Sequence, residues 1–397
     1  MSGIYIHIPF CKQACHYCDF HFSTSMGKKE VMVSALKKEL VLRKDEFKDE
    51  IVETIYFGGG TPSLLETTEI LDIINTVYSN FTMAEQPEIT LEANPDDLVQ
   101  RAKSNADVTL SAVERDEGSI LEKYKRAGIN RLSIGIQSFF DEDLKFMNRA
   151  HCAEEAEECI IEAVKHFNNI SIDLIYGIPD MTNERWKRNI EKTLSFSIPH
   201  ISSYALTVEP KTALSNFIKK GKVKPMDDEV TQAHFNILYD VLTSSGYDCY
   251  EISNFGKPGF YSKNNTAYWQ GKKYMGIGPS AHSYDGKNRS WNVSNNPKYL
   301  KAIEQGGMPM EIEILSKADK YNEYIMTGLR TSWGVSLMKI KCDFGKQYLN
   351  YINTQAEKYL SQDLLYIDGD KLVATKKGKF LVDGIASDLF VVNLDRN

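Results

Sequence analysis

Cys11-Lys12-Gln13-Ala14-Cys15-His16-Tyr17-Cys18 packs three of the chain's seven cysteines into eight residues. It directly follows the run Ile4-Tyr5-Ile6-His7-Ile8, whose alternation reads as a strand. Soft thiolates on so short a loop suit three irons of a cubane and leave the fourth iron without a protein ligand. A zinc site is the alternative, and it needs a fourth ligand from His7, His16 or His21.

Working outward, short apolar runs rich in Ile, Tyr, Val and Thr recur at residues 4–8, 51–57, 89–92, 131–136, 171–176 and 200–208. Between them, residues 31–47, 66–78, 154–167 and 182–196 carry apolar side chains at helical period, with Thr182 as a natural N-cap. Strand and helix in alternation predict parallel βα units, hence a barrel or a doubly wound sheet. Residues 98–122 are polar and poorly periodic, which reads as an insertion or mobile loop in the third unit. After about residue 317 the character changes: helices at 321–329 and 346–360 precede residues 364–374, where Asp368-Gly369 between apolar runs signals a hairpin. Two helices and a hairpin predict a small winged-helix-like α+β domain, so the chain divides into residues 1–310 and 311–397.

The 397 residues are 42% hydrophobic and 25% charged, with a formal charge of −7. Such a balance gives no general attraction to nucleic acid or anionic lipid, and the lysine pairs are short and scattered. No apolar run is long enough for a membrane span, and the N-terminus lacks the pattern of a signal peptide, so a cytoplasmic protein is expected. The other four cysteines are dispersed, unlike a secreted disulfide framework.

In parallel α/β folds ligands gather at the C-terminal ends of the strands. The residues at those ends are chemically rich in this chain. The first strand leads to the cysteine loop, the second to Gly58-Gly59-Gly60-Thr61-Pro62, the third ends in Glu92-Ala93-Asn94-Pro95, the fourth in Gln137-Ser138, and the fifth carries Asp173. The glycine-rich turn lets backbone approach a ligand closely, and no Gly-Lys-Ser/Thr comes after it, so it is not a nucleotide P-loop. An open iron beside such a turn suits a molecule with an amino and a carboxylate group, such as the methionyl end of S-adenosylmethionine.

These motifs, with Arg131-Leu132-Ser133-Ile134-Gly135-Ile136-Gln137, Tyr268-Trp269 and Gly276-Ile277-Gly278-Pro279-Ser280-Ala281-His282, make the chain resemble radical S-adenosylmethionine proteins. Within them it resembles the group of oxygen-independent coproporphyrinogen III oxidase and the haem chaperone HemW. The resemblance implies a partial (β/α)6 barrel with a C-terminal domain and a [4Fe–4S] cluster on Cys11, Cys15 and Cys18. It also implies S-adenosylmethionine held by Tyr5, Tyr17, Gly59, Gly60, Thr61, Glu92, Gln137, Arg149, Asp173 and Ala205, with His282 a further cofactor contact or a neutral core histidine. The residue types fit: carboxylates accept from hydroxyls or ammonium, and an arginine pairs with a carboxylate.

The oxidase pattern has a fourth cysteine where this chain has Phe20, and an extension before the first strand. Both departures favour the chaperone branch, which implies haem or porphyrin binding, client haemoproteins at the membrane, an electron donor, and a monomer or homodimer. The alternative is the oxidase itself, which removes propionate carboxyl groups in porphyrin synthesis by radical chemistry. The chaperone pattern His-Asn-x-x-Tyr-Trp, linked there to haem, reads Asn264-Asn265-Thr266-Ala267-Tyr268-Trp269 here. Asn264, Tyr268 and Trp269 are therefore the candidate haem contacts, although a carboxamide is a poor iron ligand.

Overall fold

The computed structural model describes residues 2–99 and 118–392. The six strands expected from the apolar runs are present: β1 (Ser2–Ile8), β2 (Val52–Gly59), β3 (Met83–Ala93), β4 (Arg131–Gln137), β5 (Ile170–Tyr176) and β6 (His200–Ala205) pair in parallel and in chain order. Alternation along β1 separates two environments. Ile4, Ile6 and Ile8 lie in the main core with Leu36 and Leu40 of the first helix, Lys29–Leu42, while Gly3, Tyr5 and His7 line a cavity.

Cys15, just past β1, and Ala205, at the end of β6, line one cavity. In a flat sheet these strands would stand five spacings apart, about 24 Å. The sheet is therefore curled, as a partial (β/α)6 barrel requires.

Six further strands widen the sheet. β7 (Asp248–Glu251) and β8 (Asn254–Gly256) flank β6, and β9 (Lys273–Ile277), β10 (His282–Tyr284), β11 (Asn288–Asn292) and β12 (Met310–Ile314) extend it beyond β1. β9 runs parallel to β1, with Ile4 opposite Met275, and covers the edge that six strands alone would leave open. These strands are short and mixed in polarity, so they carry no clear period of their own.

Local boundaries also shift. The apolar run 200–208 leaves the sheet at Ala205. The helical run 31–47 breaks after Leu42 into a 3-10 turn, Lys44–Phe47, because buried Arg43 turns inward to bond Glu39, Glu46 and the Gly276 carbonyl. Of the segment 98–122, residues 100–117 lie outside the described residues. Its last part opens the helix Ile120–Arg126 behind a Ser119/Glu122 capping box.

The C-terminal part has its own core, including Tyr321, Ile325, Ile352 and Leu372. Helices Lys317–Leu329 and Lys346–Ser361 precede the expected hairpin, β14 (Leu365–Asp368) and β15 (Lys371–Ala374), which turns at Gly369 with φ 60°. A two-residue strand, β13 (Val335–Ser336), completes a three-stranded antiparallel sheet. This part docks on the barrel through Arg330, which pairs with buried Glu251 at 3.0 Å. Among the described residues no helix is long and apolar enough to cross a membrane.

Candidate functional site

The cysteine loop is fixed at several points. Cys11 N–H donates to the Ser23 carbonyl at 3.1 Å, His16 N–H to Met147 O at 3.1 Å, and the Asn148 amide to Ala14 O at 2.8 Å. Lys12 pairs with buried Asp96 at 2.9 Å and also with Asp97, tying the loop to the chain just past β3. The three thiols open onto a cavity of about 680 Å³. Tyr17, Gly59, Gly60, Thr61, Glu92, Gln137, Arg149, Asp173 and Ala205 line the same cavity, so the structure brings nine of the cofactor candidates together with all three cysteines.

A hydrogen-bonded chain crosses this rim from thiol to thiol. Thr61 Oγ1 faces Cys11 Sγ at 3.5 Å, Asn94 Nδ2 donates to Thr61 Oγ1 at 3.2 Å, and Arg149 Nη2 donates to Asn94 Oδ1 at 2.7 Å. Arg149 Nη1 then reaches Cys15 Sγ at 3.4 Å, while Nη2 also bonds the Gly135 carbonyl at 3.0 Å. Asn94, which the sequence offers only as a neighbour of Glu92, is thus the joint between the ends of β2 and β4. Arg149 Nε is buried without a hydrogen-bond partner. A buried cationic donor left unpaired is costly, so this atom marks a place for an acceptor.

Backbone geometry serves the same rim. Gly59 has φ 106°, and a Cβ there would stand 2.4 Å from His7 Nδ1. Gln137 has φ 67° at an irregularity of β4 against β5, a conformation held by its surroundings. Burial pushes Glu92 up to about 7, against the opposing effect of the Tyr56 hydroxyl at 2.7 Å, and Asp173 up to about 6. Burial likewise raises Cys18 to about 11 and lifts Cys11. The cavity therefore holds two carboxylates whose burial favours the neutral form and thiols that a metal must ionise.

The residues fit a cubane better than zinc. Among the described residues no group of three or more His, Cys, Asp or Glu side chains closes on a single ion. Of the three histidines able to supply a fourth zinc ligand, His7 has both ring nitrogens bonded, to the Tyr5 hydroxyl and His21 O, while His16 and His21 bond through one nitrogen each, and none of the three lines the cavity that the thiols open onto.

A second cavity of about 480 Å³ adjoins the first, and Asp19, Phe20, Gly59 and Glu92 line both. Tyr5 and His282 lie in this second cavity rather than the first, together with Asn264 and Tyr268. His282 is exposed to it, not in the core. Trp269 lines neither cavity; the Arg330 guanidinium stands 5.1 Å over its ring. Asn264 Oδ1 accepts the Thr54 hydroxyl at 3.2 Å. The turn leading to His282 is held by Glu39, a fully buried carboxylate that accepts from Gly278 N–H at 2.8 Å, Asn292 at 2.7 Å and the Tyr299 hydroxyl at 2.6 Å. Its sequence setting, the apolar face of a helix, gave no sign of this.

Residues 5–192 match the model of the Radical SAM superfamily, and residues 315–381 match that of the HemN C-terminal domain. The haem chaperone HemW of Lactococcus lactis is 33% identical over 97% of this chain and 98% of its own length. That of Bacillus subtilis is 32% identical over 96% and 97%. This chain belongs to the HemW family. The fold agrees beyond the family, since the structure of coproporphyrinogen III oxidase (HemN) from Escherichia coli aligns with a TM-score of 0.80 over 99% of this chain and 90% of that one, at 22% identity. In this HemW-family chain the position that departs from the oxidase cysteine pattern, Phe20, is 66% exposed and stands where the two cavities meet.

Proposed function

We propose that this chain is a haem chaperone that holds a [4Fe–4S] cluster and S-adenosylmethionine, binds haem, and passes it to apo-haemoproteins. The observation that carries this reading is the similarity to HemW chaperones over 96–97% of this chain and 97–98% of theirs. Cys11, Cys15 and Cys18 would ligate three irons, and the bound cluster would supply an open iron to chelate the amino acid end of the cofactor and an electron when reduced.

The chain's own residues then divide the work of holding it. Arg149 Nε is placed for the cofactor carboxylate, and the Gly59–Thr61 backbone for its amino group. Glu92 and Asp173 accept from ribose hydroxyls or face positive charge, Gln137 adds a polar contact, and Tyr17 with Ala205 bounds the adenine. Thr61, Asn94 and Arg149 keep the thiols in a polar frame, and Phe20 adds an apolar side chain at the shared wall.

The finer assignments rest on the same reading. The division expected at residues 310–311 is taken a few residues later in this reading, after β12, a choice supported by the pairing of β12 with β11 in the large sheet. Work in the cytoplasm, clients among membrane haemoproteins, an outside electron donor and a monomer or homodimer all suit a carrier of this composition, without nucleic acid as a partner.

The test uses anaerobically reconstituted protein. Loaded with haem, it is expected to transfer haem to an apo-cytochrome b, and to form no protoporphyrinogen from coproporphyrinogen III with S-adenosylmethionine and dithionite. Decarboxylated product, or no haem uptake, overturns the proposal.

A further inference from the structure

The eight histidines separate cleanly by hydrogen bonding. His7, His16, His21, His151, His166, His200 and His234 each engage at least one ring nitrogen. Among the described residues His282 alone has neither nitrogen bonded, and its ring lines the second cavity on β10. A histidine with no structural bond, opening into a cavity and held on a strand, is free to serve something that enters.

The rest of the cavity says what enters. Its volume, about 480 Å³, is that of a pocket for a molecule of cofactor size. Tyr268, Tyr274 and the exposed Phe20 offer aromatic faces to a flat apolar body. Lys272, Lys273 and Arg289 supply positive charge. Lys273 is paired with Glu50 at 2.5 Å and Arg289 with Glu323, whereas Lys272 has no ion-pair partner among the described residues. The cavity's carboxylates, Asp19 and Glu92, lie in the wall shared with the first cavity. An aromatic slot, a free imidazole and a spare cation match a flat macrocycle that carries a metal and acidic arms.

Taking the haem-chaperone reading as its basis, we propose that the second cavity is the haem seat, with His282 as the iron ligand and Lys272 receiving a propionate. Asn264, the counterpart of the histidine in the family pattern, is not the ligand here. Its carbonyl is taken by Thr54, and a carboxamide donates poorly to iron. Partial burial and the Arg289 charge hold the His282 imidazole below the ordinary histidine range, so the neutral form that ligates iron is present at neutral pH. Haem so placed would share Gly59 and Glu92 with S-adenosylmethionine, which brings cargo and cofactor to opposite sides of one wall.

Full-length reconstituted protein is titrated with hemin and followed by electron paramagnetic resonance and magnetic circular dichroism, for the wild type, His282→Ala, His282→Gln, Asn264→Ala and Lys272→Gln. Cluster iron content and the melting curve serve as controls for folding. Expected is a histidine-ligated haem spectrum in the wild type and Asn264→Ala. Both His282 variants should lose that spectrum and bind at least about tenfold more weakly, with added imidazole restoring the spectrum. Lys272→Gln should weaken binding with the spectrum unchanged. A wild-type spectrum in His282→Ala, or its loss in Asn264→Ala with His282→Ala intact, overturns the placement while leaving the chaperone reading in force. A wild type that takes up no hemin overturns both.

Discussion

The two cavities share a wall and are built on opposite plans. In the first, side chains from the ends of successive parallel strands are locked to one another, thiol to Thr61 to Asn94 to Arg149 to thiol. In the second, Tyr5 and His7 of β1 meet residues that arrive only because β9 folds back beside β1, Tyr5 opposite Gly276. There the central imidazole and one lysine are unbonded. A resident cofactor rewards a site whose geometry is set in advance by folding, whereas a cargo must leave, and a seat with fewer fixed contacts releases it more readily.

The largest effect that sharpens this contrast comes from Cys15→Ala. With only two thiols left to hold the cubane, iron and sulfide after anaerobic reconstitution should fall to background, as read by chemical analysis and by loss of the cluster's resonance after reduction. Haem affinity should stay within about twofold, because Cys15 does not line the second cavity and uncoupled sites behave additively. A joint collapse of cluster and haem binding would break the comparison.

Glu92 stands in the shared wall and gives a smaller effect that depends on pH. Its carboxyl is raised from 4.5 to about 7 in the folded chain, chiefly by burial. A raised acid binds its proton more tightly folded than unfolded, so its contribution to stability is complete below pH 4.5 and is lost as pH rises through about 7. The shift corresponds to no more than about 3 kcal/mol. Glu92→Gln, which mimics the protonated form, should therefore be less sensitive to pH than the wild type between pH 4.5 and 7 in thermal melts of the cofactor-free protein. Bound S-adenosylmethionine, through its positive charge, should flatten the wild-type profile toward that of the variant. Parallel profiles for the two proteins would place Glu92 outside the charged part of the cofactor cavity.

The same contrast explains which features were legible in the sequence. The first cavity was, because each of its motifs lies just past an apolar run of period two, and parallel strands deliver such motifs to one rim. Its support Lys12 was not, since it looks like any loop lysine until Asp96 and Asp97 are beside it; nor was Glu39, which holds the turn before His282 in the second cavity and looks like a misplaced charge in an apolar helix face. The second cavity depends on pairing between β1 and β9, a contact across most of the chain that no local pattern encodes. His282 stands within a recognisable motif, yet its place, open to a cavity and not packed in the core, depends on where β10 ends up. In the C-terminal part the hairpin at Asp368-Gly369 was plain from turn chemistry, while β13, two residues long, has no signal to find.

Trp269 offers the smallest effect and a sharp boundary for the second cavity. It adjoins Tyr268 in the helix Lys263–Trp269, but consecutive helical residues point about 100° apart, so the pair cannot serve one pocket equally. Tyr268 lines the cavity; Trp269 lies beneath the Arg330 guanidinium, which also holds Glu251 and Asp383 where the C-terminal part docks. A partly buried cation–π contact contributes about 0.5–2 kcal/mol, and a phenylalanine keeps part of it. Trp269→Phe should therefore lower the melting temperature slightly and leave haem affinity within about twofold, whereas Tyr268→Ala should weaken haem binding severalfold by removing an aromatic face. Equal losses of haem affinity in the two variants would extend the haem seat around the helix to the interface with the C-terminal part.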